Sequence, residues 1–286
     1  MEILVTGATG SNGVELLKLL SARNVPARAM VRSHDKASGI VGLPGIDIVS
    51  GDFDDPTSLE RALCGTKRAF LLTNSSERAE AQQVSFVAVA RHSSVEHVVK
   101  LSQLAADEDS PVRFLRYHAV VERAIRESEL AYTFLRPNLF MQGLLGFAPV
   151  IKSRACFYAA IGDAKVSVVD VRDVAAAAAA ALTGEGHSGR TYTLTGPESL
   201  SHAEMAEHLS HATGRTITFV DVPAEAMREA LSAMNMPPWQ ADGLIEDYAH
   251  YRRGEAAVVS TGVRDATGMP PRSFTAFARD YAAQLS

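Results

Sequence analysis

Three glycines near the start of the chain have the spacing that phosphate chemistry needs. Thr6-Gly7-Ala8-Thr9-Gly10-Ser11-Asn12-Gly13 carries them as G-x-x-G-x-x-G. Gly7 can make the tight turn out of a strand. Gly10 leaves the backbone bare for a pyrophosphate, and Gly13 lets a helix pack close to a sheet. The unpaired N–H groups of that helix start then face the phosphates, with the favourable end of the helix dipole behind them. Thr9, Ser11 and Asn12 share the turn and join the candidate contacts. A glycine triplet alone is weak evidence. Here a strand-like run at 3–6 precedes it and a helix-like run at 14–23 follows, which is the context the chemistry requires.

A bound dinucleotide must also be read at its adenosine end. The next apolar run closes as Met30-Val31-Arg32-Ser33, with no acid to take a ribose 2′-hydroxyl. Arg32 can instead pair its planar fork with a 2′-phosphate, with Lys36 assisting. This favours NADP(H) over NAD(H); a solvated arginine at a strand end is the other reading. In Gly51-Asp52-Phe53-Asp54-Asp55, Asp52 can accept from the adenine amino group and Phe53 can pack on the ring. Asp52 and Asp54 also suit a plain turn, and Asp55 before Pro56 reads as a helix cap.

The nicotinamide half should be framed by the ends of the fourth, fifth and sixth strands. These are Thr73-Asn74, Ser102-Gln103 and Arg136-Pro137-Asn138-Leu139-Phe140-Met141. Thr73, Asn74 and Pro137 are candidate cofactor contacts. Asn138, Phe140 and Met141, with Trp239, are candidate substrate contacts, and Phe147 and Tyr248 can add apolar lining. A flat aromatic substrate suits such walls, although apolar stripes are more often core.

Those residues need a particular scaffold. Strand-like runs at 3–6, 27–32, 47–50, 68–73, 97–102 and 132–136 alternate with helix-like runs at 14–23, 55–64, 77–92 and 112–128. This alternation implies an α/β, Rossmann-type, doubly wound parallel sheet with helices on both faces. Residues 1–150 make the dinucleotide-binding core. Residues 151–286 complete it and add a small, mostly helical C-terminal substrate lobe, the whole forming one intertwined unit. In that half, 166–169 and 191–195 read as strands and 171–183 as an alanine-rich helix. Ser201 and Glu204 have capping-box spacing, and 223–253 is helical with a break at 236–239.

The formal net charge of −5 argues against nucleic acid as partner. No apolar run has the length and purity of a membrane span, and no signal peptide is visible. Cys64 and Cys156 have no metal-type spacing and read as reduced thiols of a cytoplasmic protein that binds no metal.

The segments 5–13, 29–32, 51–59 and 118–141 resemble the atypical short-chain dehydrogenase/reductase superfamily in its NmrA-like branch, on the side of the quinone and triphenylmethane reductases. Val169-Asp170-Val171-Arg172-Asp173-Val174 and Pro270-Pro271-Arg272-Ser273-Phe274 also fit. The resemblance implies an NAD(P)H oxidoreductase, and it makes Ser102 a candidate for touching substrate; a turn serine is the other reading. Most members carry Tyr-x-x-x-Lys, the proton donor and its ribose-holding partner. Here Phe114 and His118 stand at those positions. Phenylalanine has no proton to give. His118 can serve as acid or base, can hold a ribose hydroxyl, or can have no role. Glu122, one turn on, can orient His118 or simply be solvated. Tyr117 lies about 100° round the helix from His118, so the two are not expected in one cleft.

Loss of the donor fits hydride transfer to a conjugated acceptor such as a quinone, whose product anion is delocalised. It equally fits a non-catalytic, NADP-binding redox sensor that acts through a protein partner. An unusual redox step in a biosynthetic pathway is a third reading. A homodimer is compatible with all three.

Overall fold

Short runs of apolar residues, most of them alternating with helices, must bury both faces of a sheet. The computed structural model describes residues 2–33 and 37–286, so Lys36 lies outside it. Its sheet strands are β1 (Ile3–Val5), β2 (Ala27–Val31), β3 (Ile46–Ser50), β4 (Arg68–Leu71), β5 (His97–Leu101), β6 (Ala131–Pro137) and, late in the chain, β9 (Arg190–Leu194). They run parallel in the order β3-β2-β1-β4-β5-β6-β9. The order reverses between β1 and β4, which opens a crevice at their carboxyl ends. The Thr6 hydroxyl donates to the Phe70 and Leu72 carbonyls at 2.9 and 3.0 Å and ties the two sides of that crevice together.

Successive residues of each strand face opposite layers. Ile3, Val5, Phe70, Val99 and Leu101 join one core, whereas Leu4, Leu71, Val98 and Phe134 join the other. The first layer holds α1 (Ser11–Ala22) and the alanine-rich α6 (Val171–Thr183). Small side chains let α6 lie against α1 and across β4, β5 and β6. The second layer holds α2 (Pro56–Leu63), α3 (Ala79–Ala90) and α4 (Arg113–Glu127). Asp55 caps α2 by accepting from Thr57 N at 3.1 Å, with Pro56 at the first position.

The second half of the chain builds further structure around its own core. A 3₁₀ segment (Met141–Phe147) leads into α5 (Ala148–Arg154) and β7 (Cys156–Ala159). Strand β8 (Lys165–Val166) pairs with β10 (Leu200–Ser201), and β7 pairs in parallel with β11 (Thr218–Asp221). Helix α7 (His202–Thr213) begins with both halves of the Ser201–Glu204 capping box. Then come α8 (Ala224–Ala233), α9 (Pro238–Arg252), α10 (Gly262–Thr267) and α11 (Phe274–Leu285). Pro237 and Pro238 separate α8 from α9, because neither can donate the N–H that a continuous helix needs. Arg113 pins α9 to α4, donating from Nε to both Glu246 carboxylate oxygens at 3.0 and 3.1 Å. Among the described residues no helix is long and apolar enough to cross a membrane.

Candidate active site

The glycine turn sits where β1 meets α1. Gly7 has a φ of +60°, which favours glycine, and a Cβ there would lie 2.8 Å from the Leu72 side chain. A Cβ at Gly13 would lie 2.2 Å from the Gly7 carbonyl oxygen, so α1 could not pack as it does. Gly10 differs from both. The nearest protein atom to a Cβ there is 3.5 Å away, an ordinary contact. The fold itself does not demand glycine at position 10; something outside the chain would. Thr9, Gly10 and Ser11 are exposed, and no side chain caps the start of α1. Asn12 is buried, and its side-chain oxygen has no hydrogen-bond partner. An open lip of N–H groups beside an unpaired buried acceptor fits a dinucleotide.

Arg32 follows β2, exposed and without an ion pair among the described residues. Asp52 is half-buried, and its Oδ1 accepts from Asp54 N at 3.0 Å in a turn. Phe53 leans onto Phe86 of α3, with ring centroids 5.8 Å apart. Thr73 is buried and accepts from Gln83 at 2.8 Å, whereas Asn74 is exposed.

Beyond Asn12 lies a cavity of about 290 Å³. Its walls include Thr73, Ser102, Gln103, Phe114, Tyr117, His118, Pro137, Phe140, Leu244 and Asp247. Among the described residues no arginine or lysine lines it. Phe114 and His118 both face in, as the helical i,i+4 spacing requires. Tyr117 faces in as well, contrary to the expectation from its helix angle. Its ring lies 4.1 Å from that of His118, and its hydroxyl shares a 3.2 Å hydrogen bond with Ser75. The cavity is wide enough to take in that whole arc of α4. Burial pushes the Tyr117 phenol above its ordinary range.

Behind His118 the strand supplies a lysine. Lys100 belongs to the layer facing α4 and is fully buried. Its Nζ donates to the Leu101 carbonyl at 3.0 Å and to His118 Nδ1 at 2.7 Å. Burial lowers the Lys100 pKa to about 7, although Glu122 opposes the shift. Burial, then Lys100, hold His118 well below its ordinary range. His118 is therefore neutral at pH 7. With Nδ1 taken as an acceptor, its proton sits on Nε2. A neutral imidazole is a poor acid but a good donor to a hydroxyl oxygen. We expect His118→Ala to weaken NADPH binding, measured by fluorescence titration, while keeping most of the saturated rate. A fall in kcat in the ~10²–10⁴ range at unchanged cofactor affinity would make it the proton donor instead.

Several residues depart from their expected roles. Glu122 is not solvated: it is fully buried, and its hydrogen bonds go to groups other than His118. It accepts from Ser102 at 2.6 Å, from Arg136 at 2.9 and 2.6 Å, and from Arg126 at 3.0 Å. The basic partners come from β6 and from the next turn of α4. The Ser102 hydroxyl is consequently turned away from the cavity it borders. Asn138 lines the cavity too, but its amide is consumed by the fold. Nδ2 donates to Ser167 Oγ and to the Ala256 carbonyl at 2.8 Å each, and Oδ1 accepts from Leu139 N at 2.8 Å. Met141 is 1% exposed in the second-half core, because the 3₁₀ turn that it opens folds it inward. Phe147 and Tyr248 pack on the same core. Trp239 stands behind the wall, its ring 5.4 Å from Phe114 and 6.3 Å from Tyr117.

Two buried ionisable groups, Lys100 and Asp247, escaped the sequence reading. Lys100 had a signal, a lone charge in the apolar run His97-Val98-Val99-Lys100-Leu101. Asp247 had none, since it stands beside Glu246 in a helix of mixed polar and apolar residues. Its carboxyl closes the far side of the cavity at 5% exposure. Gln103 Nε2 donates to both of its oxygens at 3.0 Å.

Comparison with known proteins fits this geometry. The chain is 37% identical to an NAD(P)H azoreductase of Xenophilus azovorans over 98% of both chains. It is 38% identical to a (4-alkanoyl-5-oxo-2,5-dihydrofuran-3-yl)methyl phosphate reductase of Streptomyces griseus, covering 99% of this chain and 97% of that one. It superposes on the NADPH-dependent quinone oxidoreductase of Escherichia coli, solved in complex with NADPH, with a TM-score of 0.86 at 26% identity, covering 97% and 99% of the two chains. The family model for NmrA-like proteins matches residues 1–257, and this chain belongs to the NmrA-like family.

Proposed function

We propose that this chain is an NADPH-dependent oxidoreductase of small conjugated acceptors such as quinones and azo compounds. The observation that carries the reading is the junction of two features. A glycine lip whose Gly10 the fold leaves free opens directly, past the unpaired Asn12 oxygen, into an aromatic-walled cavity. The nicotinamide, when bound, supplies the hydride. The turn from Gly7 to Gly13 would hold the pyrophosphate, Arg32 the 2′-phosphate, and Asp52 and Phe53 the adenosine. Asn12, Thr73, Pro137 and His118 would hold the nicotinamide end, and Phe114, Tyr117 and Phe140 would sandwich a flat acceptor. Phe114 cannot protonate a simple carbonyl. The names of the relatives span an azo bond, a quinone and a 5-oxo-2,5-dihydrofuran, and an anion formed by hydride addition to any of these is delocalised. Among the described residues no lysine or arginine lines the cavity, which favours uncharged acceptors.

Steady-state NADPH consumption with quinones, azo dyes, enones and simple ketones tests this reading. Turnover with the first three and none with ketones is expected; binding without any turnover would mark a redox sensor. NADPH should bind more tightly than NADH. Arg32→Ala should remove about ten- to hundredfold of NADPH affinity and leave NADH unaffected, as for one lost charge-assisted contact of ~1.5–3 kcal/mol. Equal loss for both coenzymes would place the 2′-phosphate elsewhere.

A further inference from the structure

Four acidic side chains are buried among the described residues: Glu122, Asp170, Asp173 and Asp247. Three of them have an arginine. Glu122 has Arg136 and Arg126, Asp170 has Arg172 at 2.7 Å, and Asp173 has Arg272, whose backbone N also donates to it at 2.7 Å. Asp247 has none, and it alone of the four lines the substrate cavity. A buried carboxylate without a cation is costly, and the group keeps its proton instead.

We propose that Asp247 is the proton donor of the reaction, delivering its carboxyl proton to the anion that hydride addition leaves on the acceptor. This rests on the reductase reading above. None of the groups facing Asp247 is a free cation: hydrogen bonds from Gln103 and Tyr251 favour its anion, but burial and the neighbouring Glu246 outweigh them. On its own helix Glu246 carries a negative charge beside it, and Tyr248 and Tyr251 are neutral phenols raised by burial. From α4, Tyr117 is likewise raised, and His118 is neutral on Lys100. Arg113, the nearby cation of α4, is engaged by Glu246 through Nε at 3.0 and 3.1 Å and through its Nη2 at 2.6 Å. After β5, Gln103 offers an amide and no charge. Burial, then Glu246, push the Asp247 carboxyl up to about 7. Neither His118 nor Tyr117 has a proton so readily given at that pH.

The step balances. The acceptor gains two electrons and one hydrogen as hydride, and its oxygen or nitrogen anion takes the Asp247 proton. That carboxyl O–H breaks as the new O–H or N–H forms. The resulting carboxylate is held by the Gln103 amide, and a solvent proton restores the acid after product leaves. Phe114 thus marks a donor moved from α4 to α9.

Asp247→Asn tests this with a quinone and an azo dye. A hydroquinone anion is a weak base and a reduced azo anion a strong one, so the azo rate should suffer more. We expect kcat for the azo dye to fall by roughly 10²–10³-fold, within the range for a lost general acid, with NADPH affinity unchanged. A proton donor must be protonated, so the wild-type rate should fall as pH rises through about 7, and this alkaline limb should vanish in Asp247→Asn. In the cofactor-free protein, carbon-13 NMR should show one aspartate carboxyl titrating near 7, absent from the variant. Gln103→Leu, which keeps the acid but removes the amide that steadies its anion, should move the limb to higher pH. An unchanged azo rate and alkaline limb in Asp247→Asn, or an Asp247 carboxyl that titrates in the ordinary aspartate range, overturns the assignment. Loss of turnover with every acceptor in the wild type would instead overturn the reductase reading.

Discussion

Gly10→Val is expected to abolish NADPH binding while leaving the apo protein folded, with a melting temperature close to that of the parent. Space explains both halves. A Cβ at position 10 meets only one protein atom within 4 Å, at 3.5 Å, so the chain tolerates a side chain there. The added isopropyl group would project from the lip at the start of α1, where phosphate oxygens must approach backbone N–H groups. Several charge-assisted bonds of ~1.5–3 kcal/mol would be lost together, so affinity should fall by well over a hundredfold. Gly13→Ala is the control. Its Cβ would lie 2.2 Å from the Gly7 carbonyl, so that variant should lose stability in the absence of any ligand. Calorimetry of the apo variants with a parallel fluorescence titration separates the two. A folded Gly10→Val that still binds NADPH would show that the phosphates lie elsewhere.

Glu122→Ala should be the most destabilising substitution near the site. Burial alone would raise the Glu122 pKa, but hydrogen bonds from Arg136 and Ser102 outweigh it and hold the carboxyl below its ordinary range. Removing the carboxylate leaves Arg136 only 24% exposed beside a void, and it strips Ser102 of its acceptor. Breaking a buried pair in this way typically costs about 3–5 kcal/mol. For a chain of this size that is a fall in Tm of roughly 10 °C. The pair's own contribution, being that of a depressed carboxylate, is present above the unfolded pKa and is lost as pH falls from there through the lower folded pKa. Parent and variant should therefore converge in stability toward acid pH. A Tm unchanged at neutral pH would mean that solvent replaces the carboxylate without cost.

The layered sheet was legible because β1, β3, β4 and β5 are short strand-like runs each followed by a helix, with a recognisable start as at Asp55-Pro56. The second half was less so. Cys156–Ala159 pairs with Thr218–Asp221 some sixty residues later, and no local pattern announces that partnership. The glycine turn and Phe114–His118 could be read because their function depends on spacing along one element. Lys100 and Asp247 matter through what other elements bring to them. Lys100 reaches His118 across a strand–helix interface, and Asp247 enters the cavity only because Gly243 lets α9 close on Phe114. A Cβ at Gly243 would lie 2.3 Å from the Phe114 ring. Asn138 and Met141 are expected to contact substrate because they follow β6; Asn138 does line the cavity, but its amide is hydrogen-bonded within the fold, and Met141 is buried in the second-half core.

Single-turnover mixing of the NADPH-loaded protein with a quinone tests hydride transfer most directly. The experiment compares ordinary NADPH with NADPH deuterated at the transferred position of the nicotinamide. One equivalent of NADPH should be oxidised per site, and the deuterated coenzyme should react severalfold more slowly. Tight binding of NADPH with no oxidation by any quinone, azo dye or enone would contradict the enzyme reading and leave a dinucleotide-binding protein without turnover.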